Sequence, residues 1–155
     1  MKKWLWYGLI IAAVAVFSGG NIAGKDVGKL QPVQVVRVAG GEGQILLETD
    51  TQNWGYGENV DAAIKNMKKT ASGEIFLDTA DYLLIAEGAE KTLPDLMDHL
   101  RPSCAICKVH GTADLAQVGQ FFEVHAPKLT LADWRAGEWT MPVLISEEGR
   151  MELVS

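Results

Sequence analysis

Apolar residues recur along this chain in three kinds of pattern, and each predicts a different kind of element. The first is an unbroken run from Trp4 to Phe17, preceded by Lys2 and Lys3 and followed by Ser18-Gly19-Gly20-Asn21. A positive start, an all-round apolar stretch and small residues after it predict a targeting segment over residues 1–24. Its fourteen apolar residues suit a signal-peptide core better than a bilayer crossing, which needs ~20. No further charge occurs before Lys25, so an uncleaved anchor is the alternative, and the segment is read as a signal peptide or membrane anchor. The two lysines are expected to stay in the cytoplasm, which puts everything after Lys25 on the extracytoplasmic side.

The second pattern is helical. Val60, Ala63, Ile64 and Met67 fall at i, i+3, i+4 and i+7, with Gly73 as a stop. Leu93, Leu96, Met97 and Leu100 repeat it, with Thr92 and Asp95 predicting a capped start and Pro102 an end. Leu115, Val118, Gly119 and Phe122 form a third stripe between Thr112, the expected N-cap, and Pro127. A short fourth turn is predicted over Leu131 to Ala136, capped by Thr130 with Asp133 and ended by Gly137.

The third pattern is apolar runs of strand length. Pro32 to Ala39, a turn at Gly40-Gly41-Glu42-Gly43, and Gln44 to Thr49 predict a hairpin. Glu74 to Leu77 and Tyr82 to Ala86 flank Asp78-Thr79-Ala80-Asp81; Cys104 to Val109 is apolar on both faces apart from Lys108. Val143 to Ile145 and Met151 to Val154 flank a turn at Glu147-Glu148-Gly149. Gly24 to Gln31 reads as a tether and Asp50 to Gly57 as a loop. The order β-β-α-β-α-β-α-β-β predicts an α/β (α+β) fold, a mixed sheet with about three helices in two layers or three. Residues 25–155 are read as a single domain.

Composition narrows the partners. Hydrophobic residues make up 48% and charged residues 22%, which favours a packed core over disorder. Against 20 acidic side chains stand 14 basic ones, and two of those are Lys2 and Lys3. The remainder is therefore more acidic than the net charge of −6 for the whole chain. A negative surface argues against nucleic acid, and against anionic lipid headgroups, as partners.

Few residues are candidates for chemistry. Cys104-Ala105-Ile106-Cys107 has the spacing of a redox pair, which is active at a helix N-terminus where the dipole lowers a thiol pKa. Here it falls in an expected strand, Ser103 to His110, where residues i and i+3 lie ~10 Å apart on opposite faces. A disulfide needs Cα atoms within ~7 Å, so free, buried thiols are expected. His99, His110 and His125 lie in three elements without metal-ligand spacing. Asp78 and Asp81 are a carboxylate pair suited to acid–base work, although a bend is the commoner reason for Asp and Thr together. Trp54-Gly55-Tyr56-Gly57 offers two aromatics, as a contact surface or as core rings folded inward. Trp134 and Trp139 are expected to plug the junction between the short helix and the last hairpin. No phosphate loop, serine elbow or metal motif occurs, so neither an enzyme nor a cofactor is expected.

Two stretches carry a family resemblance. The run Gly57-Glu58-Asn59-Val60-Asp61-Ala62-Ala63-Ile64-Lys65-Asn66-Met67 is similar to a characteristic helix of the Ger(x)C family, the C-subunit proteins of spore germinant receptors. Glu74 to Glu87 resembles that family's next strand: an aromatic, a short polar bend, a hydrophobic run and a terminal Glu. Arg101-Pro102-Ser103 and Thr112-Ala113-Asp114-Leu115 continue in the same order. The resemblance spans about Val33 to Val154 and corresponds to the family's N-terminal domain alone. Where family members carry a lipidated Cys after an apolar and two small residues, this chain has Phe17-Ser18-Gly19 and then Gly20.

The resemblance implies a non-enzymatic, extracytoplasmic, membrane-associated interaction domain in spore germination or sporulation envelope assembly of a spore-forming bacterium. Its partners would be other membrane or envelope proteins, with the membrane met through the N-terminal segment. Two alternatives stand beside it: an extracytoplasmic thiol–disulfide protein using Cys104 and Cys107, and a small-ligand-binding module near Trp54 and Tyr56.

Overall fold

The computed structural model describes residues 30–41, 43–137, 140–147 and 149–155. The segment read as a signal peptide or anchor lies outside the described residues, as does Trp139. In chain order the elements are β1 (Leu30–Pro32), β2 (Val35–Gly41), β3 (Gln44–Thr49), β4 (Trp54–Gly57), α1 (Val60–Thr70), β5 (Glu74–Phe76) and β6 (Tyr82–Ala86). There follow α2 (Leu93–Leu96), β7 (Ala105–Gly111), α3 (Leu115–Val124), α4 (Leu131–Ala136), β8 (Val143–Glu147) and β9 (Arg150–Val154).

Seven strands form one mixed sheet in the order β4-β3-β2-β6-β7-β8-β9, while β1 and β5 pair separately in parallel. The four central strands β2, β6, β7 and β8 run parallel. Antiparallel neighbours close both edges, β3 and β4 on one side and β9 on the other. Parallel strands are covered on both faces and so lose the apolar–polar alternation of a half-exposed strand. β6 shows this directly, with Leu83, Leu84 and Ile85 all fully buried.

The two faces hold separate clusters. Val36, Val38, Leu83, Ile85, Cys104 and Ile106 pack under Val60, Ala63, Ile64 and Met67 of α1, Leu93 and Leu96 of α2, and Leu131 of α4. Val35, Leu84, Cys107, Val109 and Leu144 pack under Val118 and Phe122 of α3. The molecule is therefore three layers with unequal covers. Burying a ring the size of Phe122 contributes about 2–3 kcal/mol.

α1 forms where its heptad-like stripe meets good end signals. Asn59 Oδ1 accepts the Ala62 N–H at 2.8 Å, an N-cap. Lys68 and Lys69 in the last turn complement the helix dipole, and Ala71 ends it in extended backbone.

The structure departs from the sequence reading at several points. The Asp50 to Gly57 stretch, read as a loop, contains strand β4. The tether's last residues, Leu30 and Gln31, belong to β1, and β5 pairs with β1 rather than with the main sheet. The second helix is only Leu93–Leu96, with tight turns carrying the periodicity on to Leu100. Thr92 does not cap it. A 3-10 turn at Glu90–Thr92 runs straight into α2, and the buried Thr92 hydroxyl donates to the Ala89 carbonyl instead. On α3 the N-cap is Asp114, not Thr112, accepting from the N–H groups of Ala116 and Gln117. At α4 the capping box between Thr130 and Asp133 is present on both sides.

Candidate contact surface on strand β4

Strand β4 owes its place to its glycines. A Cβ on Gly55 would stand 2.3 Å from the Ala63 carbonyl oxygen and 2.5 Å from the Met67 nitrogen; one on Gly57 would stand 2.5 Å from the Ala63 nitrogen. Both contacts are with helix backbone, so only glycine lets α1 lie this close to the strand. Strand side chains alternate between faces, so the residues that alternate with the glycines, Trp54 and Tyr56, point away from α1. They are 51% and 50% exposed, and their ring centroids lie 6.0 Å apart with planes 16° from parallel. The two rings thus support one another instead of folding into the core.

Their neighbours are fixed by register. Glu48 of β3 stands opposite Trp54, and Arg37 of β2 stands opposite Glu48. Arg37 and Glu48 form an ion pair at 3.1 Å. Leu46 stands opposite Tyr56. Among the described residues, the cluster under α3 takes nothing from β3 or β4, so this part of the second face is uncovered. At the strand's outer edge the Tyr56 N–H donates to Asn66 Oδ1 of α1 at 3.3 Å, which occupies a donor that an open edge strand would leave free. The start of β4 is locked too. Asn53 donates through Nδ2 to Gln31 Oε1 at 2.8 Å and to the Thr51 hydroxyl at 2.9 Å.

The other candidates are placed apart from this surface. Cys104 and Cys107 are free and fully buried, one in each cluster, on opposite faces of the sheet. Burial pushes the Cys104 thiol up from 9.0 to about 12, against the opposing pull of Arg101. Cys107 is raised further by burial and by Cys104. Both are thiols, not thiolates, near neutral pH, and a thiol is the poor nucleophile of the two forms.

The histidines are scattered: His99 pairs with Asp61 of α1 at 2.8 Å, the His125 ring lies 4.9 Å from that of Phe121, and exposed His110 is the last but one residue of β7. Among the described residues no three His, Cys, Asp or Glu side chains converge as metal ligands would. Asp78 and Asp81 are not joined in a site. Asp81 pairs with Arg101, and Asp78 is exposed in a 3-10 turn. The residue that gives this bend its purpose is Thr79, whose hydroxyl accepts the Val33 N–H at 3.0 Å and bonds the Phe76 carbonyl at 2.7 Å. Trp134 is partly buried against the α1-side cluster. A cleft of about 440 Å3, lined by Leu129, Asp133, Pro142 and Leu153 among others, opens toward the β9 edge, at the opposite side of the sheet from Trp54 and Tyr56.

Reasoning from sequence named Trp54 and Tyr56 but missed what holds them: Gly55, Gly57, Asn66 and Gln31. The alternation aromatic-Gly-aromatic-Gly was the available signal, a strand whose inward positions are glycines. The chain matches no protein-family model, no curated protein and no solved structure.

Proposed function

We propose that the chain is a non-enzymatic interaction domain held on the extracytoplasmic side of a membrane, working in spore germination or sporulation envelope assembly, with the β4 surface as its contact site. The observation that carries this reading is the Trp54–Tyr56 pair: two large rings half exposed, mutually stacked, and seated on a strand that glycines lock against α1. Aromatic anchors on rigid backing lose little entropy on binding and dominate contact energetics. The Lys2-Lys3 start and the Trp4 to Phe17 run support the membrane association, and the resemblance of Gly57 to Met67 and of Glu74 to Glu87 supports the germination setting.

The thiol–disulfide alternative would need Cys104 and Cys107 to meet, and they face opposite layers. The test is a comparison in the native host of spore germination and envelope assembly, with protein abundance measured alongside. Trp54→Ala and Tyr56→Ala are expected to impair germination at unchanged abundance. Cys104→Ala with Cys107→Ala is expected to cost at most about 2–3 kcal/mol of stability and to leave function intact in whatever protein remains. A folded double-cysteine variant without function, or full function in Trp54→Ala with Tyr56→Ala, overturns the proposal.

A further inference from the structure

The contact surface lies beside the point where the chain enters the fold. Gln31 accepts from Asn53, the residue before Trp54, and donates to Ser72 Oγ at 3.2 Å, two residues beyond the end of α1. Leu30–Pro32 is also paired along β5. The first described residues are therefore pinned at the end of the molecule where β4 begins and α1 finishes.

Only twelve residues, Ser18 to Lys29, separate this point from the apolar run. Fully extended they span at most about 40 Å, close to the width of a folded domain this size. A tether this short holds the surface near the bilayer at a high effective concentration, so a weak contact is enough to be populated.

The chemistry at that end is interfacial. Trp and Tyr have an apolar body and a polar tip, and they gather at the headgroup level of membranes with Lys and Arg around them. Across β4 from Trp54 and Tyr56, the later turns of α1 carry exposed Lys65, Lys68 and Lys69, which form no ion pair among the described residues. Their stems are long enough to lie along apolar surface while the ammonium groups meet phosphate. Of the nearby carboxylates, Glu48 is held by Arg37 and Asp61 by His99, while Glu58 and Glu74 are exposed beside the lysines. The acidity of the molecule as a whole opposes a general attachment to phosphate-rich surface, so approach requires a lysine-bearing end such as this one.

We propose that the β4 end of the domain, with Trp54 and Tyr56 on one face and the α1 lysines on the other, seats on the headgroup zone of the bilayer that its own N-terminal segment engages. This rests on the membrane-associated reading above and names the lipid surface as the occupant of the contact site.

The test uses the full chain reconstituted in phosphatidylcholine vesicles whose lipids carry bromine either near the top or near the end of the acyl chains. Subtracting the Trp54→Phe chain from the unchanged one isolates the emission of Trp54, and subtracting a chain with Trp4→Phe and Trp6→Phe isolates that of the N-terminal segment from Trp134 and Trp139. Trp54 emission is expected to shift to the blue, and to be quenched more by the shallow bromines than by the deep ones. Adding Tyr56→Ala is expected to weaken that shallow quenching. If Trp4 and Trp6 are quenched while Trp54 is not, the docking proposal falls, and the aromatic pair is left to a protein partner. If no tryptophan is quenched, the membrane-associated reading falls and takes the docking proposal with it.

Discussion

Cys107 is enclosed between the sheet and α3, and Cys104 between the sheet and the opposite helices. Because the folded thiols hold their protons to about pH 12 for Cys104 and beyond for Cys107, the folded state binds more protons than the unfolded one above pH ~9. The sign follows: the thiols add no pH dependence below that value, and stability falls as pH rises through it. The slope is about 1.4 kcal/mol per pH unit for each thiol. Urea midpoints measured from pH 8 to 11 are expected to fall less steeply for Cys104→Ala with Cys107→Ala than for the unchanged chain. Equal slopes would show that the thiols already ionise in the fold. The placement on opposite faces was legible from the expected strand over Ser103 to His110, although β7 begins only at Ala105 and Cys104 sits just ahead of it. The roles of Thr79 and Asn66 were not, because each is defined by a backbone group distant in sequence.

Strand β4 shows what a local pattern can hide. Trp-Gly-Tyr-Gly has the composition of a turn, and its strand character comes from a helix lying on the glycine side. Gly55→Ala is accordingly expected to destabilise the protein by about 3 kcal/mol, because the new methyl meets backbone that cannot rotate away. Gly43→Ala, with open space around its Cβ and φ of +89°, is expected to lose only about 1 kcal/mol. Thermal or urea unfolding of both variants checks the pair, and similar losses would mean that α1 lies less tightly on β4 than described. The main helices α1 and α3, the short α4 with its capping box, and both hairpins followed from period and turn residues alone. The second helix came out short because it gives way after Leu96 to the tight turns that carry Met97 and Leu100, and no side-chain signal marks that boundary.

At the scale of the molecule, the mixed sheet and its helices were readable from the order of elements, while the strand neighbours were not. Hairpins announce their partners through the turn between them, but the pairing of β2 with β6 depends on where α1 returns the chain. Complete burial of β6 is the part of this architecture most open to measurement. Leu83 and Leu84 belong to opposite clusters, and both have no exposed surface. Leu83→Ala and Leu84→Ala are each expected to cost about 3 kcal/mol, whereas a strand with one wet face would give one large loss and one small. A small loss at either position, read from urea unfolding, would mean that one helical layer is missing in solution.

The same strand order sets a schedule for assembly. Val35 finds its parallel partner only at Tyr82, so the inner edge of the β2–β3 hairpin stays unsatisfied while the intervening residues are made. At synthesis rates of ~5–20 residues per second, that interval lasts roughly 2–10 seconds. For that time a newborn chain displays Val35, Val36 and Val38 on an open strand, the kind of edge that recruits stray strands. The risk passes only when β6, Tyr82–Ala86, has arrived, so this edge stays open until just past the middle of the chain.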